Sequence, residues 1–219
     1  MPEELIVFRD VDFAYGPERP VLRQCDFRLT AGERLAVAGP NGSGKTTLLH
    51  LIVGLLRPER GEIEIFGRPR RKEADFHEVR RRAGLLFQDA DDQLFCPTVL
   101  EDVAFGPLNL GHDRAGVRQI VTQTLEELGL SGYEDRITYK LSGGEKRLVA
   151  LAAVLAMQPE VLLLDEPTAG LDETSRRRLH EILQNLPQSM IVVSHDREFR
   201  ETIAKRTLFL CEGRLEDIA

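Results

Sequence analysis

The sequence is short of cysteine, long apolar runs, repeats and positive charge, and each shortage narrows what the chain can be. Its 219 residues hold three cysteines, Cys25, Cys96 and Cys211, odd in number and widely spaced. No C-x-x-C pair occurs, so a reduced cytosolic compartment is the simplest expectation, with all three as small buried side chains. No apolar run approaches the roughly 20 residues that a membrane-spanning helix needs. Met1-Pro2-Glu3-Glu4 does not read as a signal peptide. The expectation is a soluble chain, or one held at a membrane by a partner. There is no internal repeat and no low-complexity segment. A formal net charge of -7 argues against general nucleic-acid binding, although a local basic patch could survive it.

What is present centres on Gly39-Pro40-Asn41-Gly42-Ser43-Gly44-Lys45-Thr46-Thr47. It follows the apolar run Leu35–Ala38 and precedes a helical pattern, Leu48, Leu49, Leu51, Ile52 and Leu55. Gly39, Gly44, Lys45 and Thr46 fit G-x-x-x-x-G-K-[ST], the phosphate-binding loop. Glycines let the backbone curl so that successive N–H groups converge on phosphate oxygens. Lys45 adds a point charge for the β- and γ-phosphates, the Thr46 hydroxyl is a ligand for Mg²⁺, and the helix offers its positive end to the anion.

Along the chain, Leu5–Phe8 and Val11–Phe13 read as short strands, broken from the next by Tyr15-Gly16-Pro17. Pro58 and Gly61 end the first helix, and Glu62–Phe66 alternates as a strand with one wet face. His77–Arg82 is a basic, helix-compatible patch before a short buried strand, Leu85–Phe87. Asp89–Gly111 reads as irregular and acidic, interrupted by Pro97 and Pro107. Val117, Ile120, Val121, Leu125 and Leu128 recur at helical spacing, and a second helix follows Ser142-Gly143-Gly144-Glu145. Val161–Leu164 and Met190–Val193 are unbroken apolar runs, as expected of strands covered on both faces. Glu173–Leu186 reads as an amphipathic helix and Thr207–Leu215 as a closing hairpin. Alternation of strands and helices implies an α/β chain with a mainly parallel sheet, an antiparallel appendage near the N-terminus, and a helical insertion over 88–156. The whole chain, 1–219, is read as one domain whose core is 1–87 and 157–219.

Two constellations add chemistry. Asp165-Glu166 sits where a buried strand ends, and open α/β sheets bind ligands beyond those ends. One carboxylate there can hold Mg²⁺ and the next can orient or deprotonate water, whereas alone the pair reads equally as a solvated turn. Ser142–Glu145 is a capping box. Two glycines in a first helical turn cost roughly 1 kcal/mol each relative to alanine, so close approach to an anion is the reading that explains both.

Gly39–Thr46, Leu141–Glu145 and Leu162–Glu166 together resemble the ATP-binding-cassette ATPases. Further stations of that family match in order: Gln88 at the Q-loop, Ala169-Gly170-Leu171-Asp172 at the D-loop, His195 at the switch histidine, and Tyr15 where an aromatic ring stacks on adenine. Singly, a tyrosine near a turn reads as packing and a lone histidine as non-functional. The family usually has Gln where this chain has Glu145. The resemblance implies a RecA-like phosphate-loop core with ATP and Mg²⁺ as cofactors. It implies catalysis by Glu166, His195 and Lys45, and metal ligation at Thr46, Gln88 and Asp165. Nucleotide contacts are expected from Tyr15, Gly39, Asn41, Gly42, Ser43, Gly44, Lys45, Thr46, Thr47 and Gln88. Ser142, Gly143 and Gly144 are expected to cap ATP held by a second cassette in a head-to-tail pair. A homodimer is expected, a heterodimer stays open, and Asp172 is expected at the dimer contact.

Phe87–Phe95 with Val103–Pro107 looks like the ATPases of cobalt/nickel and energy-coupling-factor vitamin importers. In that group this segment docks coupling helices of integral-membrane subunits, and Asp89, Asp91 and Asp92 are placed to pair with arginines there. The sequence stops soon after the closing hairpin, so dimer contacts are expected to rest on ATP and the membrane partner. The resemblance implies a peripheral protein at the cytoplasmic membrane face that binds no nucleic acid. The ATPase of another transporter, such as an exporter, and a soluble cassette of DNA repair or translation are the alternatives.

Overall fold

The computed structural model describes residues 3–16 and 18–218. Met1 and Pro2 of the N-terminal tetrapeptide, and Pro17 of the Tyr15–Pro17 break, lie outside the described residues. Two sheets carry the molecule. The smaller is antiparallel, with β1 (Glu4–Ala14) between β2 (Pro20–Thr30) and β4 (Arg60–Ile65), and β5 (Arg68–Pro69) beyond β4. The larger contains β3 (Arg34–Ala38), β6 (Ala83–Leu86), β7 (Val161–Asp165), β8 (Ser189–Val193), β9 (Arg206–Cys211) and β10 (Arg214–Ile218). Its order is β10-β9-β3-β8-β7-β6, parallel throughout except for the β9–β10 hairpin.

That topology positions the site. Because β3, β6, β7 and β8 run the same way, their carboxyl ends share one edge, and the segments after them converge there. The apolar runs are unbroken because both faces are covered. Val161, Leu163, Ile191 and Val193 face a core shared with the antiparallel sheet, α1 (Lys45–Ile52) and α2 (Glu73–Arg82). Leu162, Leu164, Met190 and Val192 face a second core. It is shared with α3 (Val99–Asn109), α4 (Arg114–Glu127), α5 (Gly143–Leu155), α6 (Glu173–Asn185) and α7 (Arg197–Ile203).

Four local readings are corrected. Leu5–Phe8 and Val11–Phe13 are one strand, not two. Between Phe8 and Val11 β1 carries one residue more than β2, and Asp10 absorbs it at φ 51° while donating its N–H to Asp26 Oδ1 at 2.9 Å. Helix α1 stops at Ile52 rather than near Arg57, leaving Leu55 half exposed, because Gly54 turns left-handed at φ 71° just past the C-cap and Leu55 N–H donates back to His50 O at 2.9 Å; Arg80 also donates to the carbonyls of Val53 and Gly54. The stretch read as irregular contains α3, an 11-residue helix with Pro107 inside it. Its start is a capping box: Glu101 N–H donates to Thr98 Oγ1, and Thr98 N–H to the Glu101 carboxylate. Pro107, the ninth residue of the helix, has no N–H to donate to the Val103 carbonyl, so α3 persists without that bond. Finally, the cysteines are free but not alike: Cys25 is buried, Cys96 half-buried and Cys211 exposed.

Candidate active site

A cleft of about 520 Å³ opens at the carboxyl edge of the large sheet. Its floor is the loop from β3 to α1. Gly44 occupies the N-cap of α1 at φ 106°, and a Cβ there would meet Val21 at 2.6 Å. Gly39, at φ 150°, would place a Cβ 2.2 Å from the Leu210 carbonyl oxygen. Both positions therefore require glycine, for conformation and for space. No side chain caps α1, so its N-terminal N–H groups have no side-chain acceptor of their own. Lys45 Nζ donates to the Gly39 and Pro40 carbonyls at 3.0 and 2.9 Å, which aims the ammonium across the loop. Burial holds the Lys45 pKa below the usual lysine value.

Asp165, at the end of β7, accepts the Thr46 hydroxyl proton at 2.7 Å. The contact joins residues 119 positions apart through the β3–β7 edge. The carboxylate is 4% exposed, and burial raises its pKa against the pull of Thr46, His50 and Lys45. Its Oδ1 has no hydrogen-bond partner, nor has Ser43 Oγ. A buried carboxylate oxygen left unpaired beside a hydroxyl is an oxygen donor set suited to a hard divalent cation. Among the described residues no cluster of three or more His, Cys, Asp or Glu forms an all-protein metal cage.

Glu166 adopts φ 43°, an uncommon conformation for a residue with a side chain. Its N–H donates to Val193 O at 2.9 Å, so the turn is pinned to β8. Its Oε2 accepts the His195 backbone N–H at 3.2 Å, and Oε1 lies 3.2 Å from the ring Nε2 of His195, near enough for an ion pair but not aligned for a hydrogen bond. Tyr15 leaves half its surface exposed at the cleft mouth, with its hydroxyl 3.1 Å from Thr47 Oγ1 and its ring edge-to-face with Phe13. Asn41, Gly42 and Gln88 also line the cleft.

The Ser142 turn is not in this cleft. Gly143 lines a separate hollow with Gln88 and Asp89. Ser142 and Glu145 form the expected capping box at the start of α5. The two glycines have different reasons to be glycine. A Cβ on Gly144 would lie 2.2 Å from Ser175 Oγ, so packing within the chain alone demands it, whereas Gly143 faces open space. Only Gly143 carries the argument for close approach to an anion.

Sequence reasoning missed Arg147. It is 4% exposed on α5 and donates to the carbonyls of both Phe87 and Gln88, tying α5 to the Gln88 loop. In the sequence it stands in the charged run Glu145-Lys146-Arg147, which reads as a solvated first turn and gives no signal of its buried role. The acidic turn is also more committed than expected. Asp89 caps a short 3₁₀ turn through Asp91 N–H, and Asp91 pairs with Lys146 at 2.5 Å, which leaves Asp92 as the free carboxylate.

A glycine loop opening a helix, with lysine, threonine and two carboxylates at the edge of a parallel sheet, defines a phosphate-loop nucleoside triphosphatase. Comparison with known proteins makes the class specific. The ABC transporter family profile matches residues 22–169. The chain is 45% identical over 215 residues to the energy-coupling factor transporter ATP-binding protein EcfA of Methanothermobacter thermautotrophicus, covering 96% of this chain and 69% of that protein. CbiO1 from Clostridium perfringens, described as part of the ABC transporter complex CbiONQ, superposes with a TM-score of 0.88 at 32% identity over 98% of this chain and 87% of that one. The ATP-binding cassette MJ0796, a dimer in a post-hydrolysis state bound to ADP and Pi, superposes with a TM-score of 0.86 at 26% identity over 97% of each chain. The chain belongs to the ABC transporter family and is its ATP-hydrolysing subunit. No helix among the described residues is long and apolar enough to cross a membrane.

Proposed function

We propose that this ATPase powers an importer of the energy-coupling-factor or cobalt/nickel type from the cytoplasmic face of the membrane, as a head-to-tail homodimer closed over two ATP molecules with Mg²⁺. The observation that carries the reading is the convergence of Lys45, the Thr46–Asp165 pair and the Glu166–His195 pair on one cleft. Mg²⁺ at Thr46, Asp165 and Gln88 would screen phosphate charge. Lys45 holds the β- and γ-phosphates, with Gly39 to Thr47 wrapped around them and Tyr15 against the base. Glu166 orients the attacking water and receives its proton, and His195 contacts the γ-phosphate. Ser142, Gly143 and Gly144 of one copy face the γ-phosphate held by the other. Their location outside the chain's own cleft supports that arrangement.

The importer subclass draws support from the likeness to EcfA and CbiO1. It also draws support from an apolar hollow beside α3, lined by Leu100, Phe105 and Leu108, where exposed Phe95 packs edge-to-face on Phe105 at 4.9 Å. We assign that hollow, together with the acidic turn at Asp92, to the membrane subunit, and residues 88–156 to the helical unit that transmits its motion to Gln88. The test is co-expression with a cobalt-type or vitamin-type integral-membrane component. Phe105→Asp with Leu108→Asp should lose the membrane protein on purification and retain ATP binding. An intact complex would overturn the docking assignment. Uptake of cobalt, nickel or biotin by the reconstituted complex then decides the cargo, and absence of uptake favours another transporter class.

A further inference from the structure

Glu145 stands in the first turn of α5, next to the N–H groups that the proposed function aims at a triphosphate. A carboxylate there works against an anion unless something cancels it. The structure shows an unusually complete arrangement around it. Oε1 accepts the Tyr133 hydroxyl at 2.7 Å and Arg136 Nη1 at 3.0 Å. Oε2 accepts the Ser142 N–H and hydroxyl, both at 2.8 Å. The Arg136 guanidinium also lies 3.6 Å from the centroid of the Tyr133 ring. The backbone fixes both partners: Arg136 N–H donates to Tyr133 O, and Val99 N–H at the start of α3 donates to Arg136 O.

We propose that Arg136 and Tyr133 are positioning residues that neutralise Glu145 and hold it against its own chain, so that the Ser142 turn can receive the γ-phosphate bound by a second copy. The inference rests on the head-to-tail reading above. Glu145 keeps its four hydrogen bonds, and its charge is spent on Tyr133, Arg136 and Ser142 rather than facing the phosphate. Those contacts hold the Glu145 carboxyl at about 2, led by Tyr133 and then Ser142, so it is ionised throughout the working range and compensation is always needed. Ser142 Oγ both accepts from Glu145 N–H and donates to Glu145 Oε2, so the carboxylate also fixes the direction of the hydroxyl. Arg136 is the element that cancels charge, and Tyr133 the one that aims it.

The experiment follows association of the purified full chain with Mg²⁺ and the slowly hydrolysed analogue ATPγS by sedimentation, at low and high salt. Nucleotide affinity of the single chain is measured separately at dilution. Arg136→Ala should raise the concentration for half-association about 10-fold at low salt and less at high salt, because salt screens the uncovered charge. Single-chain nucleotide affinity should stay within about 2-fold, since Arg136 is not among the cleft residues. Adding Glu145→Gln to Arg136→Ala should restore association, a rescue that a merely structural role for Arg136 would not give. Arg136→Lys, which keeps the charge, should fall between, and it replaces Arg136→Ala should that variant melt early. If Arg136→Ala associates normally, or the double variant is as weak as the single one at both salts, the proposal is overturned. Ser142→Arg separates the two levels. If it abolishes association while the Arg136 variants are silent, only the compensation fails. If Ser142→Arg associates normally, the head-to-tail reading fails and the compensation with it.

Discussion

Two helix starts in this molecule draw on the same small vocabulary of glycine and hydroxyl residues, yet they are finished in opposite ways. At α1 the N-terminus has no side-chain cap, Ser43 Oγ and Asp165 Oδ1 have no partner, and the neighbouring Glu166 sits in a strained backbone conformation. At α5 the capping box is complete, and the Glu145 carboxylate accepts four hydrogen bonds. Buried polar groups left unpaired cost free energy, so their concentration at one helix start marks where a ligand completes the structure. The second start is complete without a ligand and presents a rigid face. One end receives the nucleotide and the other is preformed to meet it.

The comparison would break first at Glu166. Glu166→Gln keeps the size and much of the hydrogen bonding but removes the base, so hydrolysis should fall about 10²–10⁴-fold. ATP binding should persist and a closed dimer should accumulate, read by turnover and sedimentation in parallel. Normal turnover would show that the strained turn serves packing and that another group activates water. The next effect is at Lys45. Lys45→Ala removes a charge-assisted contact of about 2 kcal/mol and should weaken ATP binding roughly 30-fold by calorimetry. Unchanged affinity would mean that the loop amides alone hold the phosphates.

Arg147 ties α5 to the Gln88 loop that lines the nucleotide cleft, and its removal sharpens the comparison. Arg147→Met would retain much of the buried stem but leave the Phe87 and Gln88 carbonyls without their donor. A fully buried carbonyl left unsatisfied costs about 1–3 kcal/mol; these two are only partly buried, so a loss of about 1–2 kcal/mol in urea unfolding is expected. If Gln88 depends on α5 for its place, turnover should fall further than ATP affinity. Equal losses in both would make Arg147 a packing residue only.

These side-chain ties also show where sequence reading stops. The strands Val161–Leu164 and Met190–Val193 were legible because a sheet covered on both faces needs uninterrupted apolar residues. The loop at Gly39–Thr46 was legible because only glycine fits its left-handed turns and close approaches. Helix α3 was not, because Pro107 and the acidic residues before it outweighed the capping box at Thr98 and Glu101, which was there to be used. The Thr46–Asp165 pairing could be expected only through resemblance to a family, since the two are brought together by the order of strands rather than by spacing. Arg147 and Lys146 were hidden for a related reason. Their partners are two main-chain carbonyls and Asp91, and no sequence pattern reveals where a loop backbone will pass.

The smallest effect is a pH dependence that belongs to the α5 start. The Glu145 carboxyl lies at about 2 in the folded chain against 4.5 unperturbed, held down first by Tyr133, then by Ser142 and by Arg136. A carboxyl whose folded pKa is depressed lends stability fully above its unfolded value and loses it as pH falls toward the folded one. The contribution should therefore be intact above about pH 5 and fade between about 4.5 and 2. Its partial exposure to water keeps it small. Urea midpoints measured across that interval should fall less steeply in Glu145→Gln than in the parent, with the two curves separating most above pH 5. Burial raises the Asp165 pKa instead, so Asp165 contributes with the opposite sign, and Asp165→Asn should leave the Glu145 component of the acid limb in place. Parallel curves for the parent and Glu145→Gln would mean that the four hydrogen bonds at Glu145 do not distinguish its charged form. The α5 start would then be no better prepared for a phosphate than the α1 start.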